Sequence, residues 1–291
     1  MSNLQSVYSK ILVLLHEIER EDNFLNQIRL PMLSDKELMA LSLAAESLGI
    51  DSEHFLFKQL PEEIEGRIER SVYNRRVRRL SFKLEEIRQK MAQQISPNSD
   101  LYIVDSMPLE VCKFSRAKRS KICSEAENSS PDYGFCAAQN FSYYGYKLHA
   151  VCTPEGVIKM FDISKASKHD IHYLNDIQDE LKHCVLVGDK GYLSQQWQSD
   201  LFQQSEIDLK TPMRKNQLNY EEFPEHFRKS RKRIETLFSQ LCDQFMIRRN
   251  YAKSFAGIAR RVITKITSLT LIQWVNQREG NKLNNLKIVI S

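Results

Sequence analysis

The amino-terminal third of the chain has the hydrophobic periodicity of short amphipathic helices. SKILVLLHEIE predicts one helix and LSDKELMALSLAAESLG predicts a second. Ser34 and Glu37 have capping-box spacing at the start of this second helix, and Gly49 supplies its stop. SEHFLFKQL predicts a third helix, and a long basic helix containing NRRVRRL is predicted over about 63–94. This region is therefore expected to be all-helical.

From Asp100 onward the pattern changes to short apolar runs separated by amphipathic stretches. LYIVDSM predicts a strand, and NFSYYGYKLHAVCTPEGVIKMFDIS predicts two antiparallel strands joined by a Thr-Pro-Glu-Gly turn, with Gly156 at the flexible position. The apolar run in CVLVGD is typical of a buried parallel strand, and IDLKTPM predicts a fifth strand. Helices are predicted over SKHDIHYLNDIQDELKH, QQWQSDLFQQ, residues 223–247 and residues 255–277.

This element order is strand, two-strand hairpin, helix, strand, helix, strand, helix, which is the order of an RNase H-like fold. The predicted fold class is therefore an RNase H-like α/β core, with a mixed five-stranded sheet and flanking helices, preceded by an all-helical amino-terminal domain. The polar stretch QQISPNSD at 93–100 is a plausible linker. We expect a helical DNA-binding domain over 1–95 and a catalytic domain with a helical tail over 100–291. A helix-turn-helix module and a plain helical bundle both fit the first of these.

Composition narrows the class of protein. The chain has 291 residues, 42% of them hydrophobic and 27% charged, which is ordinary for a soluble globular protein. No apolar run approaches the roughly 18 residues of a membrane span, and the amino terminus lacks the pattern of a signal peptide, so a cytoplasmic location without membrane association is expected. The six cysteines form no C-x-x-C pair and are expected to be free or buried thiols.

The positive charge is concentrated in clusters. The net charge is only +5, but basic residues gather at 73–83, 113–121, 228–233 and 247–261. A single such cluster is usually a solvated face, whereas four of them favour a polyanionic partner such as nucleic acid.

Three acidic residues stand in settings that suit a metal site. Asp105 in LYIVDSMP and Asp189 in VLVGDKGYLS are predicted at the ends of neighbouring strands, and Glu235 lies in the basic helical stretch RKSRKRIETLFSQL. Mg²⁺ prefers oxygen ligands and is usually held by a few carboxylates together with substrate phosphates. Two such ions support in-line phosphoryl transfer. Each acid also has a simpler explanation, because strand-end aspartates cap turns and Glu235 has Arg231 four positions before it.

The flanking sequence resembles that of DDE transposases of bacterial insertion sequences. The matching pieces are V-D-S around Asp105, Y-G-Y-K-L-H at 144–149, H-D at 169–170, G-D-K-G-Y at 188–192, R-I-E-T at 233–236, and the later A-K-S-F-A-G-I-A-R-R. No single piece is diagnostic, but the ordered set is specific. The resemblance extends from about residue 31 to about residue 276.

This resemblance implies a DDE triad of Asp105, Asp189 and Glu235 that binds two Mg²⁺ ions, for which Mn²⁺ is expected to substitute. It implies cleavage of double-stranded DNA at terminal inverted repeats, and then attack of the freed 3′-hydroxyl on target DNA. Joining two ends implies a homodimer or higher oligomer in the synaptic complex. One departure is that some transposase groups carry a basic residue seven positions after the glutamate, where this chain has Cys242.

Several basic residues are candidates for contact with DNA. Arg228, Arg231 and Lys232 share the helix face of Glu235, and Arg248 and Arg249 are alternatives to the absent basic residue. Lys147 and His149 share one side of their strand and are candidates for contact with DNA. For His149, a hydrogen bond within the sheet is an equal alternative. Asp170 is expected to support the first turn of its helix. The amino-terminal candidates are Arg75, Arg76, Arg78 and Arg79.

Two other functions stay open at this point. A metal-dependent nuclease of the same fold would cut DNA without joining it. A non-catalytic DNA-binding protein would use the three acids only as turn and helix residues.

Overall fold

The computed structural model describes residues 3–26, 28–217, 220–249 and 251–286. They divide into two compact units. The helical unit is drawn from Met1–Ile95, Gln240–Arg249 and Ala256–Ser291, and the sheet unit from Ser96–Ser239 and Asn250–Phe255.

The helical unit is built from helices that each bury apolar side chains. Its helices are α1 (Asn3–Ile18), α2 (Asp35–Ser47), α3 (Glu53–Leu56), α4 (Arg70–Arg79), α5 (Ser81–Ile95), the end of α8 (Glu225–Asp243) and nearly all of α9 (Phe255–Arg278). The capping box at Ser34 and Glu37 is confirmed, with each side chain bonded to the backbone of the other. Gly49 adopts a φ of +69°, as the predicted helix stop requires.

The single long basic helix predicted over 63–94 is wrong. The chain forms turns before Arg70, including Gly66 at a φ of +74°, and then makes the two helices α4 and α5. At the break, the Ser81 hydroxyl donates to the Arg78 carbonyl at 2.9 Å. A local side-chain bond of this kind competes with the helical backbone bond to the same carbonyl.

The helical tail, which sequence analysis joined to the 100–291 region, packs largely within the helical unit. Lys265 on α9 is fully buried, and its Nζ lies 2.6 Å from Glu46 Oε2 and 3.1 Å from Asp51 Oδ1. Arg261 also pairs with Asp51. Buried ion pairs hold the helices that carry them in one arrangement, because separating the two charges would leave an ion buried without a partner.

The sheet unit contains a six-stranded mixed sheet. Its strands are β1 (Leu101–Cys112), β2 (Asp132–Cys136), β3 (Phe141–Cys152), β4 (Ile158–Lys165), β5 (Cys184–Val187) and β6 (Ile207–Lys210). The order is β2-β3-β1-β5-β6, and β4 pairs with β3 beyond the end of β2. The pairs β1–β3, β2–β3 and β3–β4 are antiparallel, and β1–β5 and β5–β6 are parallel.

The predicted hairpin is confirmed as β3 and β4, and Gly156 in its turn adopts a φ of +95°. Two details of the predicted sheet are wrong. It has a sixth strand, β2, which is short, contains Gly134 and lacks an apolar run. In addition, Asp105 lies within β1 rather than at its end, because antiparallel pairing with β3 continues as far as Cys112.

One face of the sheet is covered by α6 (Leu174–Glu180) and α7 (Gln195–Ser205). Their buried side chains pack on alternate residues of the strands, including Tyr102, Val104, Leu186 and Leu209. This core fixes the register of β1 against β5, because a slip of one residue would turn its apolar side chains to the opposite face.

Within the described residues, no helix is long and apolar enough to cross a membrane.

Lys265→Met should lower the free energy of unfolding of the helical unit by about 3–5 kcal/mol, because Glu46 would stay buried without its cation. Chemical denaturation followed by helical circular dichroism measures the change. Lys282→Met, at an exposed position of the same unit, is the control. A loss below about 1 kcal/mol, the range of a surface ion pair, would contradict this account of the tail.

Candidate metal and nucleic-acid site

Asp105 and Asp189 are brought to the same level of the sheet by strand register. Ile103 on β1 pairs with Val187 on β5, the last pair of their parallel ladder. Each aspartate lies two residues beyond its member of this pair, so both side chains project on the same side of the sheet. Neighbouring strands lie about 4.8 Å apart, which makes the two carboxylates close neighbours.

The electrostatics of Asp105 reflect this proximity. Burial raises the pKa of Asp105 to about 7, and repulsion from Asp189 acts in the same direction. The Ser106 amide, which donates to Asp105 Oδ1 at 2.8 Å, and the Arg231 guanidinium lower this pKa, although by less. Asp105 is therefore a carboxylate whose charge is poorly compensated.

Asp189 is oriented by the turn that follows β5. Its Oδ1 accepts a hydrogen bond from the Gly191 amide at 2.7 Å. A Cβ atom on Gly191 would lie 2.9 Å from Asp189 Oδ1 and 3.4 Å from Asp170 Oδ2. A side chain at residue 191 would therefore crowd the Asp189 carboxylate and make van der Waals contact with that of Asp170.

Asp170 brings a further carboxylate to the edge of this site. Its Oδ1 lies 2.9 Å from Lys147 Nζ, which also donates to the Lys168 carbonyl at 2.8 Å. From the sequence, Asp170 was expected to support the first turn of its helix rather than to bind Mg²⁺, and Lys147 was expected to contact DNA. The signal that links them is present in the H-D and Y-G-Y-K-L-H pieces, but the pairing depends on tertiary structure.

The helix α8 carries Glu235 and its basic neighbours. The Glu235 side chain is 59% exposed, and its Oε1 lies 3.8 Å from the Arg231 guanidinium. Arg233 Nε donates to the Pro154 carbonyl at 3.2 Å, which ties α8 to the turn between β3 and β4. Arg231 therefore stands between two of the candidate acids, since it also lowers the pKa of Asp105.

The structure brings together Asp105 and Asp189, with Asp170 nearby, but it does not bring Glu235 into a closed ligand set. Across the described ranges, no three His, Cys, Asp or Glu side chains are grouped as a metal-binding cluster. The aspartate pair nevertheless fits a hard divalent cation. Its donors are all oxygens, and its negative charge is undercompensated.

The other candidate residues fall into three groups. Two are buried and unavailable to DNA: Arg76 pairs with Asp35 at 2.5 Å, and His149 bonds to Ser164 at 2.8 Å. The residue type of Arg76 suggested contact with DNA, and its burial could not be inferred from a local pattern, whereas His149 follows the alternative of a hydrogen-bonded sheet histidine. Half-buried are Lys147, Arg231 and Arg248; exposed are Arg75, Arg78, Arg79, Arg228, Lys232 and Arg249. The six cysteines are free, as expected.

The mixed sheet thus places two carboxylates, whose oxygens are the ligand type that hard divalent cations prefer, just beyond the end of a parallel ladder. The family model of the transposase DDE domain matches residues 96–271, more than half of the chain, and the chain belongs to this family. The resemblance to insertion-sequence DDE transposases is thereby confirmed. No curated protein and no solved structure matches the chain.

Membership of this family indicates a transposition-related function, an enzyme of the nuclease or transposase class, and binding to DNA. The family generally uses divalent metals.

Asp105→Asn should stabilise the metal-free protein at pH 8, by on the order of 2 kcal/mol. In the folded protein the pKa of Asp105 is about 7, above its ordinary value of 3.8, so wild-type stability should fall as the pH rises through this window. The stability of the asparagine variant should not depend on pH in this way, and the stability difference between the two proteins should vanish towards pH 4. Thermal unfolding in EDTA measures this difference.

The matched control for this stability measurement is Asp208→Asn, because Asp208 is a strand aspartate that is 45% exposed and pairs with Lys210. Its effect should stay within about 0.5 kcal/mol at every pH. Destabilisation by Asp105→Asn at pH 8 would contradict the proposed strain between the two carboxylates.

Gly191→Ala should weaken binding of Mn²⁺ about tenfold or more, because the new Cβ would displace the Asp189 carboxylate. Titration calorimetry without DNA measures the affinity. Ser194→Ala serves as the control, since it removes the α7 cap at a comparable cost in stability but leaves both carboxylates in place. Equal affinity in the Gly191→Ala and wild-type proteins would refute the role given to this glycine.

Proposed function

We propose that this protein is a DDE transposase that cleaves DNA at terminal inverted repeats and transfers the freed strand into target DNA. The observation that carries the proposal is the position of Asp105 and Asp189, each two residues beyond the Ile103–Val187 pair, inside a transposase DDE domain. Family membership supports the class of reaction, and the carboxylate pair supports the position of its centre.

The core is proposed to be RNase H-like. The succession β1, the β3–β4 hairpin, α6, β5, α7, β6 and α8 follows the element order from which that fold was predicted. The central position of β1, antiparallel to β3 and parallel to β5, supports the same assignment. The extra strand β2 extends the antiparallel side and leaves this order unchanged.

The proposed ligands of two Mg²⁺ ions, or of Mn²⁺ in their place, are Asp105, Asp189 and Glu235. When bound, such ions would stabilise the charge that develops on the attacking and leaving oxygens of the phosphodiester. The two aspartates provide fixed oxygen ligands on rigid strands. Glu235, which is exposed on α8, would have to exchange its contact with Arg231 for the metal site.

Release of Arg231 from Glu235 would leave a guanidinium beside the reacting phosphate. Arg228 and Lys232 are exposed on the same helix and are proposed to bind flanking phosphates. The other proposed DNA contacts outside the amino-terminal region are Arg248, Arg249 and Lys147. Lys147 would do so only if it gives up its bond to Asp170 or binds phosphate alongside it.

The helical amino-terminal region is proposed to bind DNA through α4. Arg75, Arg78 and Arg79 are exposed and lie three and four positions apart, so they share one helix face. Arg76, which is turned inward to Asp35, is left out of this set. Because two transposon ends must be joined, a homodimer or higher oligomer is proposed for the complex with DNA.

Asp189→Asn should lower the rate of end cleavage at least about 100-fold while leaving DNA affinity within about twofold, because it removes a ligand but no basic surface. The substrate is a duplex that carries the inverted repeats bracketing the coding sequence, incubated with plasmid target and Mg²⁺. Asp208→Asn is the control and should cleave normally. Cleavage by Asp189→Asn at the wild-type rate would contradict the role given to Asp189, and DNA binding by the wild-type protein without any cleavage would support the non-catalytic DNA-binding alternative.

The same assay separates transposition from simple nuclease activity. The proposal requires joined products in which the cleaved end is attached to plasmid DNA. Cleavage by the wild-type protein without any joined product would contradict the transposase assignment and would favour the metal-dependent nuclease as the function.

A further inference from the structure

A group of solvent-exposed aromatic rings lies at the end of the sheet where β2 pairs with β3. Phe114, Tyr133 and Phe135 are 49%, 45% and 58% exposed, and Tyr144 is half-buried. The ring centroids of Phe114 and Tyr133 are 5.8 Å apart, and those of Tyr133 and Tyr144 are 5.0 Å apart. We call these four residues the aromatic face.

Strand geometry explains why these rings share one side of the sheet. Tyr133 and Phe135 are two residues apart on β2, and Tyr133 pairs directly with Tyr144 on β3. Gly134, between them, faces the opposite way, where a Cβ would come within 2.8 Å of both Ala166 and Tyr143. One side of β2 is therefore tightly packed, while the other presents aromatic rings to solvent.

Uncompensated positive charge borders the aromatic face. Phe114 begins a short helical turn in the segment KFSRAKRSK, whose basic side chains are all exposed: Lys113, Arg116, Lys118, Arg119 and Lys121. Nothing in the described structure shows an ion pair between any of these five and a carboxylate. The nearby Glu125 accepts a hydrogen bond from the Phe255 amide, and a hydrogen bond from Ser167 lowers the pKa of Asp132.

Rings and positive charge together select a particular kind of polyanion. The basic residues favour phosphates, whether bases are paired or not. Exposed rings contribute binding energy only where bases are available for stacking, as in single strands or frayed duplex ends. In an intact duplex the faces of the bases are stacked on each other, so the aromatic face would gain little there.

We propose that the aromatic face and the KFSRAKRSK segment bind unpaired nucleotides of the DNA substrate. This inference rests on the proposed function, because it takes DNA as the substrate. The surface is separate from the catalytic centre: Cys112, which pairs with Tyr144, lies roughly 23 Å along β1 from Asp105. Unpaired nucleotides would therefore be held some distance from the reacting phosphodiester.

The test measures binding of the full-length protein in EDTA, where no cleavage occurs. The probes are a labelled single strand, the matching blunt duplex and a duplex with one unpaired end. Phe114→Ala combined with Tyr133→Ala should weaken binding of the single strand and the unpaired end by about 10- to 100-fold. Affinity for the blunt duplex should change less than about twofold, since its bases are not available.

A second readout reports stacking directly. A 2-aminopurine base in the unpaired end should lose fluorescence when it stacks on a ring of the wild-type protein, and keep it with the double variant. Tyr133→Phe should behave as wild type, because it retains the ring. Phe202→Ala, at an exposed ring on α7 of the same unit, is the matched control and should change none of the affinities.

Charge is tested separately by Arg116→Gln, Lys118→Gln and Arg119→Gln in one protein. This variant should weaken binding to all three probes and reduce the salt dependence of binding. Lys182→Gln, an isolated exposed site, is its control.

Unchanged single-strand affinity in the double aromatic variant, or an equal loss on blunt duplex, would overturn the inference. So would a change in oligomeric state without a change in binding to unpaired DNA, which would mark the surface as a protein interface. If the wild-type protein binds none of the probes, the proposed function fails as well. If it binds duplex DNA but the aromatic variants match it on every probe, only this inference fails.

Discussion

The candidate site depends on one unfavourable interaction, the placement of the buried Asp105 carboxylate close to that of Asp189. The Asp105 carboxylate would be more stable in water and away from Asp189. The register of β1 against β5 prevents their separation, and that register is held by the apolar core formed by Tyr102, Val104, Leu186 and the helices above them. Hydrophobic burial thus offsets a local electrostatic cost, which is evident in the pKa of Asp105: burial raises it, and repulsion from Asp189 raises it further.

Cations lie around this pair without neutralising it. Lys147 forms an ion pair with Asp170. Arg231 lowers the pKa of Asp105 and also pairs with Glu235. The helical unit shows the opposite solution, since buried Lys265 meets two carboxylates directly. Full pairing suits a structural element, whereas a pair left short of positive charge retains affinity for an added cation.

Much of this arrangement could be predicted from local patterns. The hairpin β3–β4, the apolar strand β5 and the capping box at Ser34 each follow from periodicity or turn chemistry within a short window. The family resemblance directed attention to Asp105 and Asp189, and the sheet supplied the reason that they meet. Their placement follows from register, which depends on pairing between distant segments.

The parts that sequence reasoning missed depend on contacts between distant residues. β1 extends past Asp105 because β3 continues to pair with it, and β2 forms a strand although it lacks an apolar run. Arg76 has a residue type that suits DNA contact, yet Asp35 holds it in the interior, whereas His149 makes the hydrogen bond within the sheet that was the alternative to DNA contact. The sequence offered Tyr144 as a candidate for stacking on a base, but the aromatic face could not be assembled from it, because Phe114, Tyr133 and Tyr144 meet only through the sheet.

The central claim is that the aspartate pair is where a divalent cation binds. The most direct measurement is a crystal structure of the protein grown with Mn²⁺ and a DNA end, with anomalous scattering recorded at the manganese edge. The account predicts an anomalous peak between the Asp105 and Asp189 carboxylates, with Glu235 turned towards it. Saturating Mn²⁺ with no peak at these aspartates, or with its only peak at other carboxylates, would contradict it.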